Sequence, residues 1–392
     1  MSQNRDLRFL GDSNSPYFIG VDLGGTNVKV GVVDDDGRSL SRLSIPTEGE
    51  QGAERCARRM GEAVKEAVLR AGLAPSDVAR VGFGCPGTID IPAGKFIVPV
   101  NIPGASWHHF PIRDRLAEHS GYEVSFLNDA AAAAYGEYWI GSGREFTSMM
   151  LLTLGTGVGC GIIVHDLNIA GEHSHGAECG HIIIDYHEDG RLCGCGKRGH
   201  FEAYASATAM TKFAEEALER GCRTSVRARL AGGEELTPKL LAEEAEKGDA
   251  FSLERVREQA KFLAVGIVSL AHTVDPSAVL LGGAMTFGGK DSRLGRQFLA
   301  WIQEEINHRA FPIVAEKLIL DFATLGGDAG YIGAAPAEDP QILTYVVVDN
   351  PVNGHYGSTV AGPAYKEIMQ YALPRYGVLP STTKAPVAKL DW

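Results

Sequence analysis

The chain has 392 residues, of which 37 are Lys or Arg and 49 are Asp or Glu, for a formal net charge of −12, with 44% hydrophobic and 22% charged residues. That composition suits a globular protein long enough for two or three domains with their own cores, and its acidic balance argues against a surface that holds nucleic acid or an anionic membrane nonspecifically. Seven cysteines, an odd number dispersed along the chain, suit reduced thiols or a metal site better than a disulfide framework.

Residues 1–16 are polar and are expected to form a flexible N-terminus. Neither they nor any later stretch has the apolar run of a secretion signal or membrane span, so the expected location is the cytoplasm. Tyr17 to Asp34 alternates a short apolar run, a Gly-Gly turn and a second apolar run, the pattern of a β-hairpin. Cys56, Ala57, Met60, Ala63, Val64, Ala67 and Val68 recur at three- and four-residue spacing and predict an amphipathic helix over 54–73. Strands follow at 78–84 and 124–127, the second running through Asn128-Asp129 into an alanine-rich helix that ends near Trp139. The pattern then restarts, with apolar strands at 149–154 and 159–164 around a second glycine-rich turn. Helices are expected at about 206–220, 240–247, 251–273 and 293–309, and strands at 278–281 and 318–322. Hairpins and helices alternating in two halves imply two α/β lobes with a cleft between them.

Asp22, Gly24, Gly25 and Thr26 fall in the first hairpin turn, and Gly155, Thr156, Gly157, Gly159 and Gly161 in the second. Glycines let backbone N–H groups approach phosphate oxygens, threonine hydroxyls add donors, and a carboxylate at Asp22 can hold Mg²⁺ through water. Tight hairpins alone would explain glycine at either turn. Two such turns with a carboxylate beside the first favour a pair of loops facing one triphosphate. No G-x-x-x-x-G-K-[ST] loop occurs, so a nucleotide must be held by a different arrangement.

Asn128 or Asp129 reads as a helix cap before the alanine run, a place that also favours negative charge. The Cys193/Cys195 pair, with His181 and His200, supplies four donors suited to tetrahedral Zn²⁺, and Cys179 could compete for the fourth position. Gly282 and Gly283 after an apolar strand mark a strand-end turn.

Taken in order, DLGGTNVKVG from Asp22, GFGCPGTID from Gly82, NIPG from Asn101, NDA from Asn128, LGTGVGCG from Leu154, GAECGH ending at His181, CGCGKRGHFE ending at Glu202 and LGG from Leu281 resemble the ROK family of sugar kinases and repressors, within the actin-like ATPase superfamily. The resemblance covers about residues 17–335. It implies an α/β fold of two ribonuclease-H-like lobes, about 17–140 and 141–335, with ATP and Mg²⁺ in the cleft and a zinc-binding loop in the second lobe. It further implies that a hexose is phosphorylated, with Asp129 as the catalytic base and Asn128, Glu178, His181 and Glu202 as sugar-binding neighbours. Gly282 and Gly283 match the place where the family packs backbone against adenosine. The family's fourth metal ligand is usually a third cysteine, and this chain has His200 there.

NIPG followed by Trp107 and Phe110 resembles the glucokinase branch, which makes glucose phosphorylated at its 6-hydroxyl the expected reaction. Kinases for N-acetylmannosamine, fructose or allose share the short motifs, as do polyphosphate-using members. Repressors of the family carry a DNA-binding domain ahead of the first phosphate loop, where about sixteen residues stand here. The expected partners are therefore a sugar and a nucleotide, with no nucleic acid or membrane, and the family's usual assembly is a homodimer or homotetramer.

From about Pro336 the texture changes, with a lone strand expected at 342–348 and a lone helix at 364–373. This stretch resembles the end of a penicillin-binding transpeptidase. That chemistry needs Ser-x-x-Lys, Ser-x-Asn and Lys-Thr-Gly. No Lys-Thr-Gly occurs, and Ser381 to Lys384 fits only by letter in a proline-flanked end, so residues 336–392 are expected to be a non-catalytic tail.

Overall fold

The computed structural model describes residues 7, 9–99, 102–165 and 167–335. The expected tail at 336–392, Asn101 of the NIPG stretch and the first six residues lie outside the described residues.

The first hairpin forms as its alternation requires: β1 (Tyr17–Leu23) pairs antiparallel with β2 (Asn27–Val33), and β2 with β3 (Ser39–Pro46). Helix α1 (Ala53–Ala71) buries Cys56, Met60, Val64, Ala67 and Val68 on one stripe. It stops where Gly72, at φ 74°, donates its N–H back to the carbonyls of Val68 and Leu69. The chain then enters β4 (Val78–Cys85), followed by the short hairpin β5 (Thr88–Asp90) and β6 (Lys95–Val98), helix α2 (Ile112–Ser120), strand β7 (Val124–Asn128) and helix α3 (Asp129–Ile140). The first sheet has the order β3-β2-β1-β4-β7, with β1, β4 and β7 parallel.

The second half repeats the plan. Strands β8 (Ser148–Leu154) and β9 (Val158–Val164) form a hairpin, extended by the two-residue β10 (Leu167–Asn168). Five helices follow: α4 (Glu202–Ala205), α5 (Ala207–Glu219), α6 (Val226–Ala231), α7 (Pro238–Glu246) and α8 (Ala250–Val274). They lead to β11 (Ala278–Gly283), α9 (Arg293–Arg309), α10 (Pro312–Lys317), β12 (Ile319–Phe322) and α11 (Ala329–Ala334). This sheet runs β10-β9-β8-β11-β12, with β8, β11 and β12 parallel.

Both sheets are covered on both faces, and strand periodicity shows how. In β8, Met150, Leu152 and Leu154 join the core with α5, α7, α8 and α9, whereas Met149 and Leu151 face Ala133 and Ala134 of α3. In β1, Ile19, Val21 and Leu23 pack with α1. The opposite face of that sheet is lined by glycine, because α11 crosses it almost in backbone contact: a Cβ at Gly20 would overlap the carbonyl of Tyr331, and one at Gly82 the carbonyl of Ala334. Helix α11 also crosses α3, where Gly333 meets Ala132 and Gly136. The last described helix thus lies on the first sheet, although it falls in the stretch expected to build the second lobe. Among the described residues, no helix is long and apolar enough to cross a membrane.

Candidate active site

Parallel strands present their carboxyl ends together, and the register fixes which residues meet there. Asp22 of β1 lies opposite Gly84 of β4, and Cys85 opposite Asn128 of β7. Asp22 and Asp129 therefore stand at one end of the sheet, two strands apart, a spacing of roughly 10 Å. Asn128 caps α3: its Oδ1 accepts from the N–H of Ala130 at 2.8 Å and of Ala131 at 3.3 Å. Asp129 opens the helix, and its carboxylate also accepts from the Ala130 N–H, at 2.8 Å. With the cap supplied by Asn128, the second carboxylate oxygen of Asp129 remains for other work.

A cavity of about 370 Å³ lies against this helix start. Asn128 and Asp129 wall it on one side, the β8–β9 turn Gly155–Gly157 on another, with Glu178, His181, Glu202 and Gly283 also in the wall. Glu178 and His181 come from the loop after β10 and Glu202 from the first residue of α4. A Cβ at Gly157 would sit 2.5 Å from Oε2 of Glu202, so glycine there lets the turn and this carboxylate share one corner. Gly283, at φ 86°, ends β11 opposite Leu154.

Gly159 lines the cavity further in, while Gly161 lies outside its wall with its backbone against Ala130 and Ala131 of α3. Asp22, Gly24, Gly25, Thr26 and Gly282 are likewise outside the wall. Gly25 and Thr26 are exposed at the first hairpin tip, which Thr47 pins by donating from Oγ1 to the Gly24 carbonyl at 2.6 Å. Gly282 is inside β11, its backbone facing Ala323. Asp22 lies behind the cavity with its carboxylate against Gly330 of α11.

Burial raises the pKa of Asp129, and the negative charge of Glu178 raises it further, against the opposing bond from Ala130. Asp22 is pushed up to about 7 by burial and then by Asp129, with Lys29 pulling the other way. Lys29 is held beside it by donating to the Gly327 carbonyl.

Below the cavity, His181, Cys193, Cys195 and His200 bring one donor atom each to within 4.8 Å of one another. Nδ1 of His181 lies 3.3 Å from Nδ1 of His200 and 3.6 Å from Sγ of Cys193, and Sγ of Cys195 lies 3.3 Å from Nδ1 of His200. Zinc bonds of ~2.0–2.3 Å in a tetrahedron give edges of roughly 3.3–3.8 Å, so this donor set fits that ion. Cys179 is outside the set; its thiol is hydrogen-bonded to Cys160 in the second-lobe core. His181 uses Nδ1 toward the cluster and keeps Nε2 on the cavity side, 4.0 Å from Oε2 of Glu178.

A model of the ROK family matches residues 18–337. The chain belongs to the ROK family. It is 36% identical over 318 residues to a protein named glucokinase from Thermotoga maritima, a match covering 81% of this chain and 95% of that one. Among solved structures it is similar to the ROK hexokinase from Thermus thermophilus, with a TM-score of 0.68 and 31% identity over 81% of this chain and 96% of that chain. It is also similar to a ROK family glucokinase from Streptomyces griseus in complex with glucose and AMPPNP, with a TM-score of 0.66 and 34% identity over 81% and 98%. The architecture is accordingly the two-lobed actin-like ATPase fold of ROK sugar kinases.

The cavity of this ROK chain includes residues to which motif reading gives no role. Thr88 and Ile91 enter from the loop around β5, and Asn168, Ser174 and His175 from β10 and the loop after it. Thr88 lies within the GFGCPGTID stretch, so a signal existed there. Asn168 follows a plain apolar strand and carries none.

Proposed function

We propose that this protein transfers the γ-phosphoryl group of ATP to the 6-hydroxyl of glucose, with Asp129 as general base. The observation that carries the proposal is Asp129 itself: a carboxylate of raised basicity at a helix start, in one cavity wall with the Gly155–Gly157 turn and two further carboxylates. The glucokinase and hexokinase relatives support the reaction class.

A sugar hydroxyl is a weak nucleophile until its proton is taken, and a positioned base contributes roughly 10²–10⁴ in rate. Asp129 accepts that proton, the freed oxygen bonds to the γ-phosphorus, and the bond from phosphorus to the ADP oxygen breaks. Backbone N–H groups of Thr156 and Gly157 meet charge on the transferring group, in a turn that the Gly155 N–H holds by donating to the Gly157 carbonyl at 3.1 Å. Gly283, with Gly282 behind it, offers bare backbone to the adenosine side, and the first turn, Gly24 to Thr26, closes on the phosphates from the other lobe. Glu178 and Glu202 accept hydrogen bonds from sugar hydroxyls and fix their spacing. Asn128 has its oxygen in the helix cap, so its Nδ2 is what it offers to the sugar.

Asp22 is the residue that would hold Mg²⁺: its carboxylate and that of Asp129 repel each other across the strand ends, with the Lys29 ammonium opposing them, a charge imbalance that a divalent cation would neutralise. Mg²⁺ supplies charge neutralisation to the phosphates. Zn²⁺ held by His181, Cys193, Cys195 and His200 would be architectural, stiffening the loop between Glu178 and Glu202. The Cys193 thiol donates to Oε1 of Glu202 at 2.8 Å; as a zinc-bound thiolate it could not, which leaves that carboxylate to the sugar. A cytoplasmic location and a homodimeric or homotetrameric assembly go with this reading.

A coupled assay of ADP release across a panel of hexoses tests the proposal, glucose giving the highest kcat/KM. Asp129→Ala is expected to bind glucose as the parent does while losing about 100-fold or more in kcat. Turnover comparable to the parent would remove Asp129 from the role of base.

A further inference from the structure

Among the described residues, two buried side-chain polar atoms have no hydrogen-bond partner, Arg255 Nε and Asn168 Oδ1. The first belongs to a guanidinium already paired with Glu258 and Glu254. The second belongs to a residue in the wall of the substrate cavity. A shielded amide oxygen without a donor is costly, and such groups call for a partner that arrives from elsewhere.

The backbone around Asn168 is fixed. Asn168 pairs with Ile163 across β9 and β10, and the next residue, Ile169, donates its N–H to Ile162 at 2.9 Å. The following loop is closed by a bond of 2.7 Å from Gly176 N–H to the Ala170 carbonyl. It is tied to the first lobe by Ser174, whose Oγ accepts from the Ile91 N–H at 3.1 Å. That loop leads directly to Glu178. Asn168 thus stands at the root of the segment that delivers a sugar-binding carboxylate, held in place by its main chain and left unused by its side chain.

The geometry points to Asn168 as a specificity-determining residue that hydrogen-bonds one hydroxyl of the bound monosaccharide. A carboxamide both donates and accepts, as does an alcohol, so a hydroxyl can meet either end of it. The amide torsion is soft and two-fold, which lets it turn to the ligand at small cost. This inference rests on the sugar-kinase reading and adds a polar contact that the carboxylates do not make.

Asn168→Leu keeps the γ-branched shape and removes the hydrogen bond. For this variant, KM and the calorimetric Kd for glucose are expected to rise about tenfold, with kcat at saturation unchanged. Its melting temperature should not fall, because the substitution removes an unsatisfied buried atom rather than a native bond; a purely structural asparagine would show the reverse pattern. Across the monodeoxyglucoses, one analogue should be handled equally by parent and variant, and it identifies the hydroxyl concerned. An unchanged Kd for glucose, or an equal penalty on every analogue, overturns the inference. If the parent binds glucose without phosphorylating it, the kinase reading fails while the calorimetric comparison still decides on Asn168. If the parent does not bind glucose, both fall.

Discussion

Asp129 is held between opposing influences: burial and the charge of Glu178 make its carboxylate a stronger base, while the Ala130 N–H makes it a weaker one. A base must be unprotonated to act, so a raised pKa moves the acid limb of the rate profile to higher pH. In the proposed reaction, kcat is expected to fall on acidification above the usual carboxylate range. Glu178→Gln, which removes the neighbouring negative charge, should move that limb to lower pH, as read from kcat at saturating glucose. No movement of the limb would dissociate the profile from Asp129. Asp22 gives a separate signature in stability. Its folded-state pKa of about 7 lies above its unfolded value, so the folded chain binds the extra proton between those two values. The stability this contributes is complete below the unfolded pKa and is lost as pH rises through about 7. Urea midpoints of the ligand-free protein should therefore decline from about pH 4 to pH 8, and Asp22→Asn should flatten the decline.

At the scale of the element, local pattern made some pieces legible and tertiary contact made the others. The two hairpins follow from apolar runs flanking a glycine turn, α1 and α9 from a periodic stripe of buried residues, and α3 from its Asn cap and alanine run. Helix α11 does not: Ala-Gly-Tyr-Ile-Gly-Ala contains two residues that each cost about 1 kcal/mol in a helix relative to alanine. It is helical because it lies in a trough of glycines on β1, β4 and α3, which no local window contains. Gly82→Ala places a Cβ on the Ala334 carbonyl and should destabilise the protein by about 3 kcal/mol, measured by urea denaturation. Residue type and spacing singled out His181, Cys193 and Cys195 as a donor cluster but left His200 and Cys179 as rivals for the fourth place; the fold brings His200 to the other three and leaves Cys179 with Cys160. Cys195→Ser should reduce the zinc content measured by elemental analysis and raise KM for glucose more than it lowers kcat, since the loop carries the proposed sugar-binding groups rather than the proposed base.

At the scale of the whole molecule, the cavity collects short pieces from positions 86–91, 127–131, 153–160, 168–178 and 283–284, together with His181 and Glu202. Motif spacing singled out several of these pieces but could not tell that the second glycine turn walls this space while the first stands outside it; that is decided by how the lobes are joined through α3 and α11. Every residue given a role here lies between Asp22 and Gly283, and the helix that closes the first sheet ends at Ala334. The Thermotoga maritima relative is matched over 95% of its own length by 318 residues of this chain, so residues beyond the match have no counterpart needed for that fold. A chain ending at residue 337 is therefore expected to retain the kcat/KM and melting temperature of the full-length protein, measured side by side. Loss of either would mean that residues after 337 are part of the working kinase, and that the ROK unit of this protein is larger than that of its relatives.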